Sequence, residues 1–145
     1  MTIAVDFDGT IVEHRYPEIG EEKPFATDTL KMLINDRHKL ILWTVRTGPL
    51  LDEAIDWCRQ RGVEFYATNK DYPEEKAENN PHYSRKLNTI DYFIDDRNIG
   101  GLPDWGTIYR MISRKKTWYD IVNEEVSNAT MTPYQDTKKK SWWRF

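Results

Sequence analysis

The chain lacks the features that mark a disulfide-rich, membrane-spanning or nucleic-acid-coating protein. Its 145 residues include one cysteine, Cys58, so no disulfide can form within the chain. No apolar run approaches the roughly 18 residues that a membrane-spanning helix requires, and no basic and apolar leader opens the sequence. The formal net charge is -3 with 31% charged residues, which does not indicate nucleic acid as a partner. These absences predict a cytoplasmic protein with no membrane partner.

The length suits one domain with a single continuous core. We expect residues 1–126 to form that core without a cap domain, because the segments between its apolar runs are too short to fold separately. Residues 127–145 follow the last clear apolar pattern and are interpreted as a C-terminal tail, docked or flexible. Cys58 lies in a helical pattern and is expected to be a packed or half-exposed structural thiol.

Apolar runs of strand length alternate with amphipathic helical patterns along the chain. This alternation predicts an α/β fold, a Rossmann-like three-layer sandwich with a mainly parallel sheet flanked by helices. In chain order, the predicted elements are strand Thr2 to Phe7, helix Ala26 to about Arg37, strand Lys39 to Thr44, helix Pro49 to Arg61 with Gly62 as its stop, strand Val63 to Ala67, strand Ile90 to Ile94, and a helical region capped by Asp104 and running to about Glu125.

Polar side chains gather where three of these strands end. Asp6 and Asp8 close the first strand, Thr44 closes the second, and Asp95 and Asp96 close the fourth. Ligands of parallel α/β sheets bind outside the carboxyl ends of the strands. The pattern therefore predicts a polar site at one edge of an otherwise apolar sheet.

The first acidic pair is the sharpest local signal. Asp6 and Asp8 are two residues apart in apolar surroundings, where carboxylates are costly to bury unless they bind a cation or exchange protons. Gly9 follows at once and lets the backbone turn close to a ligand. The alternative is an ordinary acidic strand-to-turn junction, since Asp and Gly are common turn residues.

Taken together, the motifs resemble those of the haloacid dehalogenase superfamily, in its small and nearly capless phosphatases with an aspartate nucleophile. Asp6 to Thr10 resembles the first motif, Leu42 to Thr44 the second, a lysine before the fourth strand the third, and Phe93 to Asp96 the fourth. The resemblance covers residues 3 to about 100. It implies a hydrolase that cleaves a phosphate monoester through a phosphoaspartate.

The resemblance also implies catalytic and metal-binding roles for the four acids. Asp6 would be the nucleophile, and Asp8 would be the general acid and base, with a pKa raised toward neutrality. Mg2+ would be held by side-chain oxygens of Asp6 and Asp95 and by the backbone carbonyl of Asp8. Asp96 would act beside these ligands or through a water molecule.

The remaining assignments concern the phosphate. Thr44 and the amides after it, Val45 included, would hydrogen-bond the phosphoryl oxygens. Lys86, closely before the fourth strand, is preferred over Lys70 as the lysine that contacts phosphate and nucleophile. Arg46 is assigned to substrate binding, with surface ion pairing as the alternative.

Three other functions stay open on the sequence alone. A receiver-like regulatory module would also have an acidic pocket, but its acidic pair follows the first strand, whereas Asp95 and Asp96 come late. A phosphate-binding module without turnover is a second alternative. In the third, Lys138 to Phe145 binds nucleic acid beside an end-processing phosphatase site. The substrate is either a phosphorylated small molecule or a macromolecule, and a neighbouring subunit in a homo-oligomer could close the site.

Overall fold

The computed structural model of the chain describes residues 1–76 and 87–131. The strands and helices follow one another in the predicted order as far as the fourth strand, and the fold is a Rossmann-like α/β sandwich. The strands are β1 (Thr2–Val5), β2 (Lys39–Leu42), β3 (Ala67–Thr68) and β4 (Tyr92–Ile94), and the helices are α1 (Ala26–Asn35), α2 (Gly48–Gln60), α3 (Trp105–Arg114) and α4 (Trp118–Met131).

The four strands form one parallel sheet in the order β3-β2-β1-β4. Val5 at the end of β1 is aligned with Leu42 of β2 and with Ile94 of β4. Leu42 is in turn aligned with Thr68 of β3. The four strands therefore end at the same level, and the residues that follow them meet at one edge of the sheet.

The sheet is buried because its central strands are apolar on both faces. Val5 and Leu42 on one face of the sheet, and Ala4 and Ile41 on the other, are fully shielded from solvent. Leu30 and Leu33 of α1 are also fully buried, which confirms the apolar face predicted for that helix. Parallel neighbours and helical crossovers of this kind give the α/β class that the sequence predicts.

Helix α2 begins and ends where the sequence places its signals. Thr47 is the N-cap in an extended conformation, and a proline occupies the first turn. Gly62 follows the helix with φ +82°, and its amide donates to the carbonyl of Arg59. The thiol of Cys58, on the buried face of α2, is shielded from solvent, and burial raises its pKa to about 12. The prediction of a structural thiol is confirmed.

The third strand differs from its predicted position. It comprises only Ala67 and Thr68, whereas the prediction was Val63 to Ala67. Val63 is buried, but its amide donates to the carbonyl of Cys58 as part of the helix end. The apolar side chain of Val63 is thus buried in the turn after α2, and sheet pairing begins only at Ala67.

The chain divides into two compact units, Met1–Tyr109 and Arg110–Phe145. In the first, Asp104 caps α3 by accepting hydrogen bonds from the amide and hydroxyl of Thr107, as predicted. In the second, the predicted single helical region is interrupted at Lys115, whose φ is +53°. A new helix, α4, begins after Thr117 and continues across residues 126 and 127 to Met131.

Two predictions concern segments outside the described residues. Lys86, preferred as the phosphate-contacting lysine, lies in 77–86, and the basic and aromatic stretch Lys138 to Phe145 lies in 132–145. Within the described part of the chain, no helix is both long enough and apolar enough to cross a membrane.

Candidate functional site

A cavity of about 570 Å³ opens at the carboxyl edge of the sheet, in the unit Met1–Tyr109. The strand register explains this position. The residue that directly follows each aligned strand end lines the cavity, and these residues are Asp6, Trp43, Asn69 and Asp95. The cavity is lined by Asp6, Asp8, His14, Tyr16, Trp43, Thr44, Val45, Thr47, Asn69, Asp95 and Arg97.

Three of the predicted acids converge beside this cavity. Each of Asp6, Asp95 and Asp96 offers a carboxylate oxygen, and these oxygens lie within 4.8 Å of one another. The buried hydroxyl of Thr10 joins two of them, lying 3.0 Å from Asp6 Oδ2 and 3.3 Å from Asp96 Oδ1. The Asp96 amide donates to the same hydroxyl at 3.1 Å. The Thr10 hydroxyl therefore connects the first motif, which follows β1, to the fourth motif, which follows β4.

The electrostatics of this cluster favour a bound cation. Burial, reinforced by repulsion from Asp95, raises the pKa of Asp6 from 3.8 to about 7, against the lowering effect of the Thr10 hydrogen bond. Carboxylate oxygens at this spacing are the hard ligands that Mg2+ takes in proteins. The residues present therefore fit a divalent cation held by Asp6, Asp95 and Asp96.

The raised pKa of Asp6 predicts a pH-dependent stability in the absence of metal. Below about pH 4 the carboxyl is protonated in both states, and as pH rises toward about 7 the unfolded chain ionises first, so stability falls. Asn cannot ionise, so we expect Asp6→Asn to melt a few degrees above the wild type at about pH 8 and to match it near pH 4. Thermal melts in EDTA across this range test the prediction.

Asp56→Asn is the matched control for these melts, because Asp56 is exposed and, within the described residues, its ion pair is with Arg59 at the surface. Its melting curve should follow the wild type at every pH. Equal pH dependence of the wild type and Asp6→Asn would contradict a raised Asp6 pKa.

Gly9 permits the close approach of the two acidic loops. Its φ is +85°, and a Cβ built on it would lie 2.4 Å from Asp96 Oδ2. We predict that Gly9→Ala displaces Asp96, costs about 1–3 kcal/mol of stability and weakens divalent-cation binding. Thermal melts and calorimetric Mg2+ titration measure both effects.

Gly100→Ala is the control, because no atom lies within 4 Å of a Cβ at that position and its φ is not in the left-handed region. A Gly9→Ala protein with unchanged melting temperature and Mg2+ affinity would show that the contact with Asp96 is not tight.

Asp8 faces the cavity but takes part in a different interaction from the other acids. Its two oxygens accept hydrogen bonds from Nη2 and Nε of Arg46, each at 2.7 Å. Asp8 is nearly buried and Arg46 is fully buried. The surface ion pairing considered for Arg46 is therefore wrong. Hydrogen bonding to Asp8 raises the pKa of Arg46 above its ordinary value, so the guanidinium stays charged.

The Thr44 loop is held from the third strand. The Thr44 amide donates to Asn69 Oδ1 at 2.8 Å, and Asn69 Nδ2 donates to the Thr44 carbonyl at 3.0 Å. The Arg46 amide donates to the Thr44 hydroxyl at 3.2 Å, which leaves the hydroxyl hydrogen available to a ligand. Within residues 1–76 and 87–131, the Val45 amide donates to no protein acceptor. Two donors can thus serve an anion here.

The segment after the first motif forms a short flap. Glu13 donates its amide to the carbonyl of Glu21, and Lys23 donates to Ile11, so residues 11–13 and 21–23 run antiparallel. The tip between them carries His14 and Tyr16, which line the cavity. As the sequence predicts, this segment is too short for a cap domain.

Sequence reasoning missed two residues of the site and leaves another undecided. Thr10 stands in the first motif without a predicted role, and Asn69, directly after the third strand, lies outside every predicted strand and helix. A left-handed φ of +53° at Asn69 has no sequence signature beyond the residue type. Lys70 is half-buried and is not among the described residues that line the cavity, so the choice between Lys70 and Lys86 stays a prediction.

The fold and the site define a Rossmann-like α/β domain with an acidic centre at the carboxyl edge of its sheet. A search of solved structures finds a conserved protein from Bacteroides thetaiotaomicron that is 68% identical, with a TM-score of 0.76 and coverage of 83% of this chain and 96% of that one. The chain belongs to the same family as that protein. Searches against protein-family models and against curated proteins found no match.

Proposed function

We propose that the protein is a Mg2+-dependent phosphatase of the haloacid dehalogenase type, which hydrolyses a phosphate monoester through a phosphoaspartate on Asp6. One observation carries the proposal: the carboxylates of Asp6, Asp95 and Asp96 converge beside a cavity that also presents the Thr44 hydroxyl and the Val45 amide. Cation ligands and anion donors thus lie along one opening, which is the arrangement that phosphoryl transfer needs.

The chemistry divides between the two acids of the first motif. Asp6 attacks phosphorus with one carboxylate oxygen as the bond to the leaving oxygen breaks. Asp8 gives a proton to that leaving oxygen and later takes one from the water that attacks the phosphoaspartate. Water attack releases inorganic phosphate and restores Asp6. Asp8 accepts two hydrogen bonds from Arg46, so it transfers protons from a fixed orientation.

The remaining groups hold the phosphate. The Thr44 hydroxyl and the Val45 amide are proposed to donate to phosphoryl oxygens, and Asn69 keeps the Thr44 peptide in place. Asp6, Asp95 and Asp96 would hold Mg2+, with the Asp8 carbonyl as the further predicted ligand. When bound, the ion neutralises the repulsion between the attacking carboxylate and the phosphate.

The substrate is proposed to be a phosphorylated small molecule or macromolecule in the cytoplasm. Tyr16 and Trp43 bring aromatic rings to the cavity, and Arg97 adds an exposed cation, so the wall beyond the phosphate is both apolar and charged. Such a wall favours a leaving group with a ring or other apolar surface. The single cysteine, buried and protonated, agrees with a reducing compartment.

The test is phosphate release from an aryl phosphate and a panel of phosphorylated metabolites, with Mg2+ or with EDTA. Wild type, Asp8→Asn and the surface control Asp56→Asn are compared. We expect turnover that requires Mg2+, is unchanged in Asp56→Asn and falls about 10²–10⁴-fold in Asp8→Asn. Turnover that persists in EDTA, or is unchanged in Asp8→Asn, would contradict the proposal, and binding of phosphate without turnover would favour a phosphate-binding module.

A further inference from the structure

Arg46 uses every hydrogen-bond donor it has within the protein. A guanidinium carries five N–H groups. Nε and Nη2 donate to the carboxylate of Asp8, Nη2 donates also to the Glu18 carbonyl at 3.0 Å, and Nη1 donates to the carbonyls of Pro17 at 3.1 Å and Leu50 at 3.4 Å. The side chain is fully buried. No donor remains for a substrate phosphate.

We propose that Arg46 is a positioning residue that fixes the orientation of the Asp8 carboxylate for proton transfer. This inference rests on the proposed function. The same guanidinium lies against the rings of Phe7 and Tyr16, each centroid 5.2 Å from its central carbon. It is thus packed against two aromatic rings and held along its edges by hydrogen bonds.

The geometry of the Asp8–Arg46 pair explains what a guanidinium with two donors contributes that a single charge does not. Two parallel hydrogen bonds of 2.7 Å fix both the position and the plane of the Asp8 carboxylate. The remaining lone pairs of the two oxygens then keep a fixed direction at the cavity that Asp8 lines. Lysine offers a compact charge that holds one oxygen but leaves the carboxylate plane free to rotate.

The guanidinium also joins the proton-transfer group to the cavity wall. Pro17 and Glu18 belong to the tip of the flap, next to Tyr16, and Leu50 lies in the first turn of α2. Arg46, close to the start of α2, is therefore connected to the flap, 28–29 positions away, and to Asp8, 38 positions away. A change at Arg46 displaces the Asp8 side chain and the flap together, while the carboxylates of Asp6, Asp95 and Asp96 make no hydrogen bond to Arg46 in the described structure.

Dependence on the leaving group tests this role. An aryl oxygen leaves as an anion without a proton, whereas an alkyl oxygen needs the proton from Asp8. We expect Arg46→Lys to lower kcat for an alkyl phosphate. This loss should be at least about tenfold larger than the loss in the rate of the first turnover with an aryl phosphate, which is measured as a burst of leaving group. The aryl substrate should show that burst because Asp6 is still phosphorylated while water attack slows. Mg2+ affinity by calorimetry should equal that of the wild type.

Arg59→Lys is the matched control, since Arg59 is a solvent-exposed arginine of α2 that should affect neither substrate. Equal loss of kcat and of the aryl burst in Arg46→Lys would overturn the positioning role while leaving the phosphatase proposal intact. A wild type with no Mg2+-dependent turnover of any ester would overturn both. If Arg46→Lys does not fold, Phe7→Leu takes its place, because it removes a buried ring from the guanidinium at a position that is not among the described residues lining the cavity, and the same kcat comparison decides.

Discussion

Replacing Asp6 with asparagine is expected to abolish turnover, with kcat falling by at least ~10⁴-fold. Asn keeps the size and shape of the side chain but cannot attack phosphorus as a carboxylate. The loss should be equally complete for aryl and alkyl phosphates, because neither ester can transfer its phosphoryl group to residue 6 once the carboxylate is gone. Steady-state kinetics with both esters measures it.

Two controls separate lost chemistry from lost structure. Asp6→Asn should remain folded, since the amide relieves the repulsion from Asp95 that raises the pKa of Asp6 in the metal-free protein. Asp56→Asn, on the exposed surface of α2, should keep full activity. Turnover by Asp6→Asn at the wild-type rate would mean that another group attacks phosphorus.

The second large effect is on stability, at the buried pair of Asp8 and Arg46. Replacing Arg46 with methionine leaves the Asp8 carboxylate buried without its partner, and three backbone carbonyls without their donor. Such a loss costs about 3–5 kcal/mol, which lowers the melting temperature of a chain this size by about 10 °C or more. Thermal and urea unfolding of Arg46→Met measure this cost.

The double variant Asp8→Leu with Arg46→Met isolates the contribution of the unpaired charge. We expect it to regain part of the lost stability, since no buried carboxylate remains. Arg59→Met should stay within about 0.5 kcal/mol of the wild type, because that arginine is exposed. A melting temperature of Arg46→Met equal to that of Arg59→Met would contradict the burial and pairing described for Arg46.

The sequence was most informative where local pattern and topology agree. Short buried strands alternating with helices predict a parallel sheet, and parallel strands end at one edge. The convergence of Asp6 and Asp95 follows from those two facts, because each residue directly follows a strand end. The α/β class and the position of the acidic cluster could therefore be predicted without coordinates.

What could not be predicted depends on contacts between distant residues. Arg46 is a charged residue in a loop, and such a residue is expected either to be exposed at the surface or to contact a ligand. Its burial comes from Asp8, 38 positions away, and from flap carbonyls whose position depends on the antiparallel pairing of Val12 with Glu22. No periodicity in the sequence encodes such a hydrogen-bond set.

Small polar residues pose the same difficulty. Asn69 and Thr10 act through side-chain bonds to Thr44 and to the acids, and either residue type is ordinary in a turn. The predicted position of the third strand was wrong because Val63 is buried in the turn that ends α2, before sheet pairing begins. An apolar residue reports burial, but burial alone does not distinguish a helix end from a strand.

The most direct measurement of the central claim is to trap the phosphoenzyme. Wild type is mixed with Mg2+ and a phosphate ester carrying a labelled phosphoryl group, quenched in acid, digested and mapped by mass spectrometry. The proposed mechanism predicts label on Asp6 in the wild type, accumulation of that label in Asp8→Asn with an aryl phosphate, and none in Asp6→Asn. Turnover without any labelled protein, or label on a different residue, would contradict a phosphoaspartate at Asp6.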